Sequence, residues 1–215
     1  MQNRKRFRYF EEELEEAASA AFFAVPGMVA DRVSQKTQQE YLTKRRDQVG
    51  DGSIVSATVS QLGEYSFCFV LTAGTPPKGA GDYETLLMDL WANAYLEAAK
   101  RRLLQDGALF LQKSLAEKEL VLRFDKLVTP GISDVPLSAN AWIADVSGAE
   151  AMGVSVFESG TMMPLKTLAS VAVYSPNLNP SPKANFCKKC KSLQGFTINP
   201  EGCMFCFGKA DSFGA

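Results

Sequence analysis

Residues 128–176 read VTPGISDVPLSANAWIADVSGAEAMGVSVFESGTMMPLKTLASVAVYSP, and this stretch decides the fold. Pro130-Gly131 forces a tight turn in which backbone amides are bared and a ligand can approach closely. Ser138 is placed to cap a short helix whose Ala139, Trp142, Ile143 and Val146 face inward, and Gly148 ends it. Residues 154–158 alternate as a strand ending in Glu158. Ser159-Gly160 breaks that strand, and a loop carrying Met162, Met163 and Pro164 leads to a returning strand at 167–174. Read from residue types alone, the stretch is a helix plus a hairpin, with the two methionines as packing.

Upstream, residues 9–25 read as a helix that turns from acidic to apolar and stops at Pro26-Gly27. Residues 29–48 read as a second, more polar helix with sparse apolar positions (Val29, Val33, Tyr41 and Leu42), so loose packing is expected. The segments 54–59 and 65–72 are strand-like around Gly63 and predict a hairpin. Within it, residues 67–71 (FCFVL) are apolar without alternation, as in a strand buried on both faces, and Cys68 reads as a small core hydrophobe. After a Pro/Gly loop at 75–81, Asp82 can cap a helix to about Leu104, with Leu87, Leu90, Ala94 and Ala98 as its apolar stripe and Trp91 and Tyr95 beside it. Asp106-Gly107 predicts a break, residues 108–118 another helix, and 120–124 a strand. The pattern is α+β: helices packed around a mostly antiparallel sheet. A Pro/Asn-rich linker at 177–185 separates a body at 1–176 from a tail at 186–215.

The composition of the 215 residues is ordinary for a globular chain, with 46% hydrophobic and 22% charged residues. A net charge of -1 gives no global pull on nucleic acid or an anionic membrane. Histidine is absent, which removes the commonest general base and metal ligand, so a metal site must use thiolates or carboxylates. The apolar run 17–25 is too short to span a bilayer, and the glutamates between it and the basic start do not fit a signal peptide, so a cytoplasmic protein is expected.

The motifs of the opening stretch resemble the activation domain of cobalamin-dependent methionine synthase. That family carries a turn of the form PGY-x-x-C-P, a helix, then T-E-S-x-x-M-x-P and a closing strand ending S-x-P. Here the turn reads Pro130-Gly131-Ile132-Ser133-Asp134-Val135-Pro136, and the second motif reads Phe157-Glu158-Ser159-Gly160-Thr161-Met162-Met163-Pro164. The strand ends Tyr174-Ser175-Pro176, and Tyr95-Leu96-Glu97-Ala98-Ala99 is similar to the family's helix segment L-A-E-A. The likeness spans residues 54–176 and is strongest after 128.

The resemblance implies a groove for S-adenosylmethionine, whose methyl group is presented to a cobalamin on a neighbouring domain to restore methylcobalamin from oxidised cobalt. It implies Glu97 as a ligand contact, backbone around Thr129, Pro130 and Gly131 facing the nucleoside or methionyl part, and Glu158, Met162 and Pro164 as support under the groove. The bland reading of Glu97 is an exposed helix carboxylate. Two positions depart from the family. Leu127 stands where an arginine holds the methionyl carboxylate, with Lys126 beside it as a point-charge substitute, and Ile132 stands where a tyrosine faces the corrin. No cobalamin module fits in 215 residues, so the resemblance implies a stand-alone relative whose partner is a corrinoid protein or corrinoid methyltransferase, together with an electron donor.

Cys187-x-x-Cys190 and Cys203-x-x-Cys206 are separated by twelve residues, and each pair can turn both sulfurs toward one ion. The spacing fits zinc in a small ribbon-like tail, and the same thiolates can hold an iron–sulfur cluster that would deliver an electron. With zinc, the chain could equally be a metal-binding adaptor without catalysis; with a cluster, an electron-transfer partner. The tail's lysines and phenylalanines permit nucleic-acid contact, but the aromatics are better read as packing over the metal, since no basic face is sustained elsewhere.

Overall fold

A computed structural model describes residues 3–115 and 122–176. In chain order these form β1 (Arg4–Tyr9), α1 (Glu11–Phe23), α2 (Arg32–Val49), β2 (Val55–Gly63), β3 (Ser66–Gly74) and α3 (Asp82–Gln112). There follow β4 (Leu122–Val128), α4 (Ala139–Ser147), a short 3-10 helix (Ala149–Met152), β5 (Ser155–Val156), β6 (Met162–Met163) and β7 (Lys166–Pro176). The main sheet has five antiparallel strands in the order β1-β2-β3-β7-β4, and β5 and β6 pair as a separate ribbon.

Side chains alternate across a strand, so β3 serves two cores at once. Phe67, Phe69 and Leu71 face the larger cluster under α1 and α3, whereas Cys68 and Val70 face a smaller one under α4. The result is three layers, helix on sheet on helix. That placement explains the unbroken apolar run of β3, since a strand covered on both faces has no polar side to show. Burial pushes the Cys68 thiol up to about 11, which keeps it an inert core group. Trp91 anchors the larger cluster: it stacks on Phe22 at 3.8 Å, and its indole N–H donates to the Ser34 carbonyl at 3.1 Å.

Several sequence expectations give way. Residues 4–9 are an edge strand, and the first helix starts after it at Glu11. Only Phe7 and Tyr9 of RKRFRY turn inward, so the strand's period of two is masked by charge. The second helix is not loosely held, because Tyr41 and Leu42 enter the larger cluster and Thr37, Gln38 and Arg45 are buried beside them. Val33 of α2, and Val29 ahead of it, lie exposed instead. Gly81 rather than Asp82 is the N-cap of α3, and the two expected helices are one continuous helix to Gln112. Gly107 does not break it but is fully packed: a Cβ there would lie 2.2 Å from Phe67 Cζ. Ser138 occupies the N-cap of α4 without a capping hydrogen bond. Trp142 is 51% exposed, the reverse of the inward orientation expected. The strand at 154–158 pairs only over Ser155–Val156.

Among the described residues no helix is long and apolar enough to cross a membrane. The linker, Cys187, Cys190, Cys203 and Cys206 lie outside the described residues.

Candidate functional site

The candidate site lies where β4 ends and the turn toward α4 begins. A register shift between Phe124 and Lys126 places Phe124 opposite Tyr174 and Leu127 opposite Ala172. Leu127 therefore packs against the larger cluster, on the α3 face of the sheet. Its neighbour Lys126 is exposed and projects from the other face, so it does not stand in for a cation at position 127.

The Thr129–Val135 turn is closed by its own hydrogen bonds. The Gly131 N–H donates to the Val135 carbonyl at 2.9 Å, and the Ile132 and Ser133 amides donate to the Thr129 carbonyl at 3.1 and 2.9 Å. The Thr129 N–H donates to Ser133 Oγ at 3.1 Å. These amides are engaged, contrary to the bared amides expected from Pro-Gly. What the turn supplies is shape: a buried Pro130, a Gly131 at φ 80, and an exposed Ile132 at its tip. The Thr129 hydroxyl, itself buried, meets Ser170 Oγ at 2.7 Å and ties the turn to β7.

Glu97 approaches from α3. Asp89, Asn93, Glu97, Lys100 and Leu104 are spaced three or four residues apart and share one helix face. Two contacts fix where that face meets β7: Lys166 Nζ pairs with Asp89 at 2.8 Å, and the Tyr174 hydroxyl donates to the Leu104 carbonyl at 2.5 Å. Glu97 lies eight residues past Asp89 and seven before Leu104, while Ser170 lies midway between Lys166 and Tyr174. Helix and strand run alongside, so Glu97 comes level with the Ser170–Thr129 hydroxyl pair, on the same face of the sheet.

Glu97 is no exposed helix carboxylate: its side chain is 15% exposed and pairs at 2.7 Å with Lys100, which is 3% exposed. Among the described residues its Oε1 is buried without a hydrogen-bond partner. Burial raises the Glu97 pKa above its ordinary value, and the Lys100 ammonium opposes that rise. Lys100 carried no sequence motif. Its one signal was its place three residues after a glutamate on a buried helix face.

Met162 and Glu158 sit on the opposite face. Met162 is half-buried against the smaller cluster, and Glu158 is exposed in the loop between β5 and β6. That loop docks on the start of α4. Asn140 Nδ2 donates to the Gly160 carbonyl at 2.9 Å, and a Cβ on Gly160 (φ 84) would meet the Leu137 carbonyl at 2.3 Å. Leu137 also touches Gly131, its Cδ1 3.1 Å from where a Cβ would stand, and so couples the two motif loops. Thr129, Pro130 and Gly131 share one turn, and Glu97 lies on α3 over the same face of the sheet as the Thr129–Ser170 hydroxyl pair. Lys126, Glu158 and Met162 stand apart from them.

The fold has a counterpart among solved structures. The chain is similar to the crystal structure of the MetH reactivation domain bound to AdoHcy, with a TM-score of 0.53 and 12% identity, covering 82% of this chain and 80% of that one. The fold is that of a MetH reactivation domain. No family model and no curated protein matches the sequence. The reactivation-domain fold accounts for the antiparallel sheet with helices on both faces, and it is shared at an identity where side chains at the site need not be.

Proposed function

We propose that this chain binds S-adenosylmethionine at the Thr129–Gly131 edge and assists the reactivation or methylation of a corrinoid carried outside these 215 residues. The observation that carries the reading is Glu97: a buried carboxylate whose Oε1 lacks a partner among the described residues, level with the turn that follows β4. Leaving a buried acceptor unsatisfied is costly, and a ligand's ammonium or ribose hydroxyl would satisfy it. The reactivation-domain fold, seen elsewhere with AdoHcy bound, supports the same ligand class. Transfer would pass the methyl group from the sulfonium to reduced cobalt, leaving S-adenosylhomocysteine, with the reducing electron coming from a separate donor.

Calorimetric titration of the full chain with S-adenosylmethionine tests this. Saturable heat is expected, together with at least about tenfold weaker binding in Glu97→Gln, the size of one lost charge-assisted hydrogen bond. No binding at millimolar ligand would leave only a shared fold. For Cys187, Cys190, Cys203 and Cys206 we propose one zinc ion, with a Cys-ligated cluster as the competing occupant. Metal analysis with a visible spectrum of anaerobically purified protein separates the two, since zinc is colourless and a cluster is brown.

A further inference from the structure

A lysine is rarely taken out of water, because its ammonium is strongly hydrated and its stem is flexible. Lys100, midway along α3, is 3% exposed, and its Nζ lies 2.7 Å from Glu97 Oε2. That contact occupies one oxygen of the carboxylate. The other, Oε1, is enclosed and has no hydrogen-bond partner among the described residues. The two oxygens of a planar carboxylate are rigidly linked, so a contact that holds one sets the direction of the other. Residues three apart on a helix lie side by side, so donor and carboxylate here are carried by a single rigid element.

The surroundings leave this task to Lys100. By strand alternation β7 turns Lys166, Leu168, Ser170, Ala172 and Tyr174 toward α3. Of their polar groups, Lys166 is paired with Asp89, Ser170 meets Thr129, and the Tyr174 hydroxyl donates to the Leu104 carbonyl. From β4, Phe124 and Leu127 pack against the same cluster and carry no charge. α1 and α2 cover the opposite face of α3, through Phe22 on Trp91 and Gln38 on Tyr95. The charges felt by Glu97 are those of Lys100 and, one turn further on, Arg101; the contact at 2.7 Å is with Lys100.

We infer that Lys100 is a positioning residue of the candidate site: it pins Glu97 Oε2 and leaves Oε1 as the one acceptor offered to a ligand's ribose hydroxyl or ammonium. The role rests on the reading of Glu97 as a ligand contact. Lys100 touches no ligand in it and acts only through Glu97. A buried carboxyl without a counter-charge takes up a proton, and a protonated carboxyl is no longer a pure acceptor. Lys100 therefore also decides the pH range over which that acceptor exists.

The test is an NMR titration of the Glu97 carboxyl carbon in the ligand-free full-length protein, the resonance being assigned by its loss in Glu97→Gln. In Lys100→Met the midpoint should rise by about one to three pH units, the size of a lost opposite charge at contact distance, and in Lys100→Arg it should stay close to that of the parent. Calorimetric titration with S-adenosylmethionine over the same pH range should follow it. Binding weakens as pH falls through the Glu97 midpoint, and in Lys100→Met the weakening should begin at a pH higher by the same amount. A side chain that only fills space would move neither profile. Lys100→Gln keeps a hydrogen-bond donor without the charge, and it carries the same comparison if Lys100→Met does not fold. An unmoved Glu97 midpoint, or a moved midpoint beside an unmoved binding profile, would overturn the role of Lys100 and leave S-adenosylmethionine binding intact. A moved midpoint in a protein whose parent form binds no S-adenosylmethionine would overturn the ligand instead, and leave the pinning of Glu97 standing.

Discussion

Glu97 and Lys100 are the pair on which residue-scale reasoning bears most directly. Two charges that leave water together owe their stability to each other, so removing one costs far more than removing both. Glu97→Leu should destabilise the fold by about 3–5 kcal/mol. The double variant Glu97→Leu/Lys100→Leu should recover most of that loss in urea unfolding at pH 7. A single-variant cost below about 1 kcal/mol would mean that the pair is effectively solvated. The pH dependence has a definite sign. The folded-state pKa of Glu97 is raised, so the folded protein holds this proton more tightly than the unfolded chain does. The contribution is fully present below the unfolded value of about 4.3 and is lost as pH rises through the folded value. Urea midpoints of the parent should therefore fall relative to Glu97→Gln as pH rises from about 4; an unchanged difference would mean that the carboxyl is not perturbed. The sequence showed this glutamate only as part of a motif. Its burial was not legible, because a carboxylate on a helix is normally exposed, and the face it occupies depends on how α3 lies along β7.

At the scale of elements, α3 shows how tertiary packing overrides a local signal. Asp106-Gly107 reads as a stop, yet the helix continues because Phe67 of β3 fills the space a side chain would take. The Phe67 ring cannot swing aside: it packs against Phe69 and Tyr174 with centroids 5.9 and 5.8 Å away. Gly107→Ala gains about 1 kcal/mol of helix propensity but overpacks the core by about 1–3 kcal/mol. The net effect should be destabilising, and Phe67→Leu should suppress it in a double-mutant cycle; a stabilised Gly107→Ala would show that the contact is loose. The loop between β5 and β6 is held by a different logic. Gly160 combines a left-handed φ of 84 with a backbone approach that a Cβ would block. Gly160→Ala should detach the loop from Leu137 and, through Leu137, loosen the Thr129–Val135 turn. Faster amide exchange at residues 131–135 would report it, and unchanged exchange would mean that the loops are independent. The Pro130–Pro136 and Glu158–Pro164 motifs were legible in the sequence because their turn residues are local. Edge strand β1 was not, because four of its six residues are Arg or Lys, and only pairing with β2 makes it a strand.

For the whole molecule, the question is whether the body depends on the cysteine tail. The described residues enclose two cores, one on each face of a five-stranded sheet, and the ends of that sheet are tied in locally. Arg4 of β1 reaches the C-terminal carbonyls of α4, donating to Val146 at 2.8 Å and Asp145 at 3.1 Å, so the first strand is locked to the second helical layer. Next to the other edge strand, Tyr174 of β7 is bonded to α3 and stacked on Phe67. A body closed in this way draws its cooperativity from α1, α3, α4 and the sheet, whereas a four-thiolate tail would draw its folding energy from its own metal. Stripping metal with a chelator, or replacing Cys187 and Cys203 with serine, should therefore abolish metal content and leave the main unfolding transition within about 2 °C of the parent, since a shift of about 1 kcal/mol in a domain of this size moves the midpoint by about 2–4 °C. A metal-dependent fall larger than that would show that the tail packs on the body, and would join the four cysteines to the same folded unit as the candidate site.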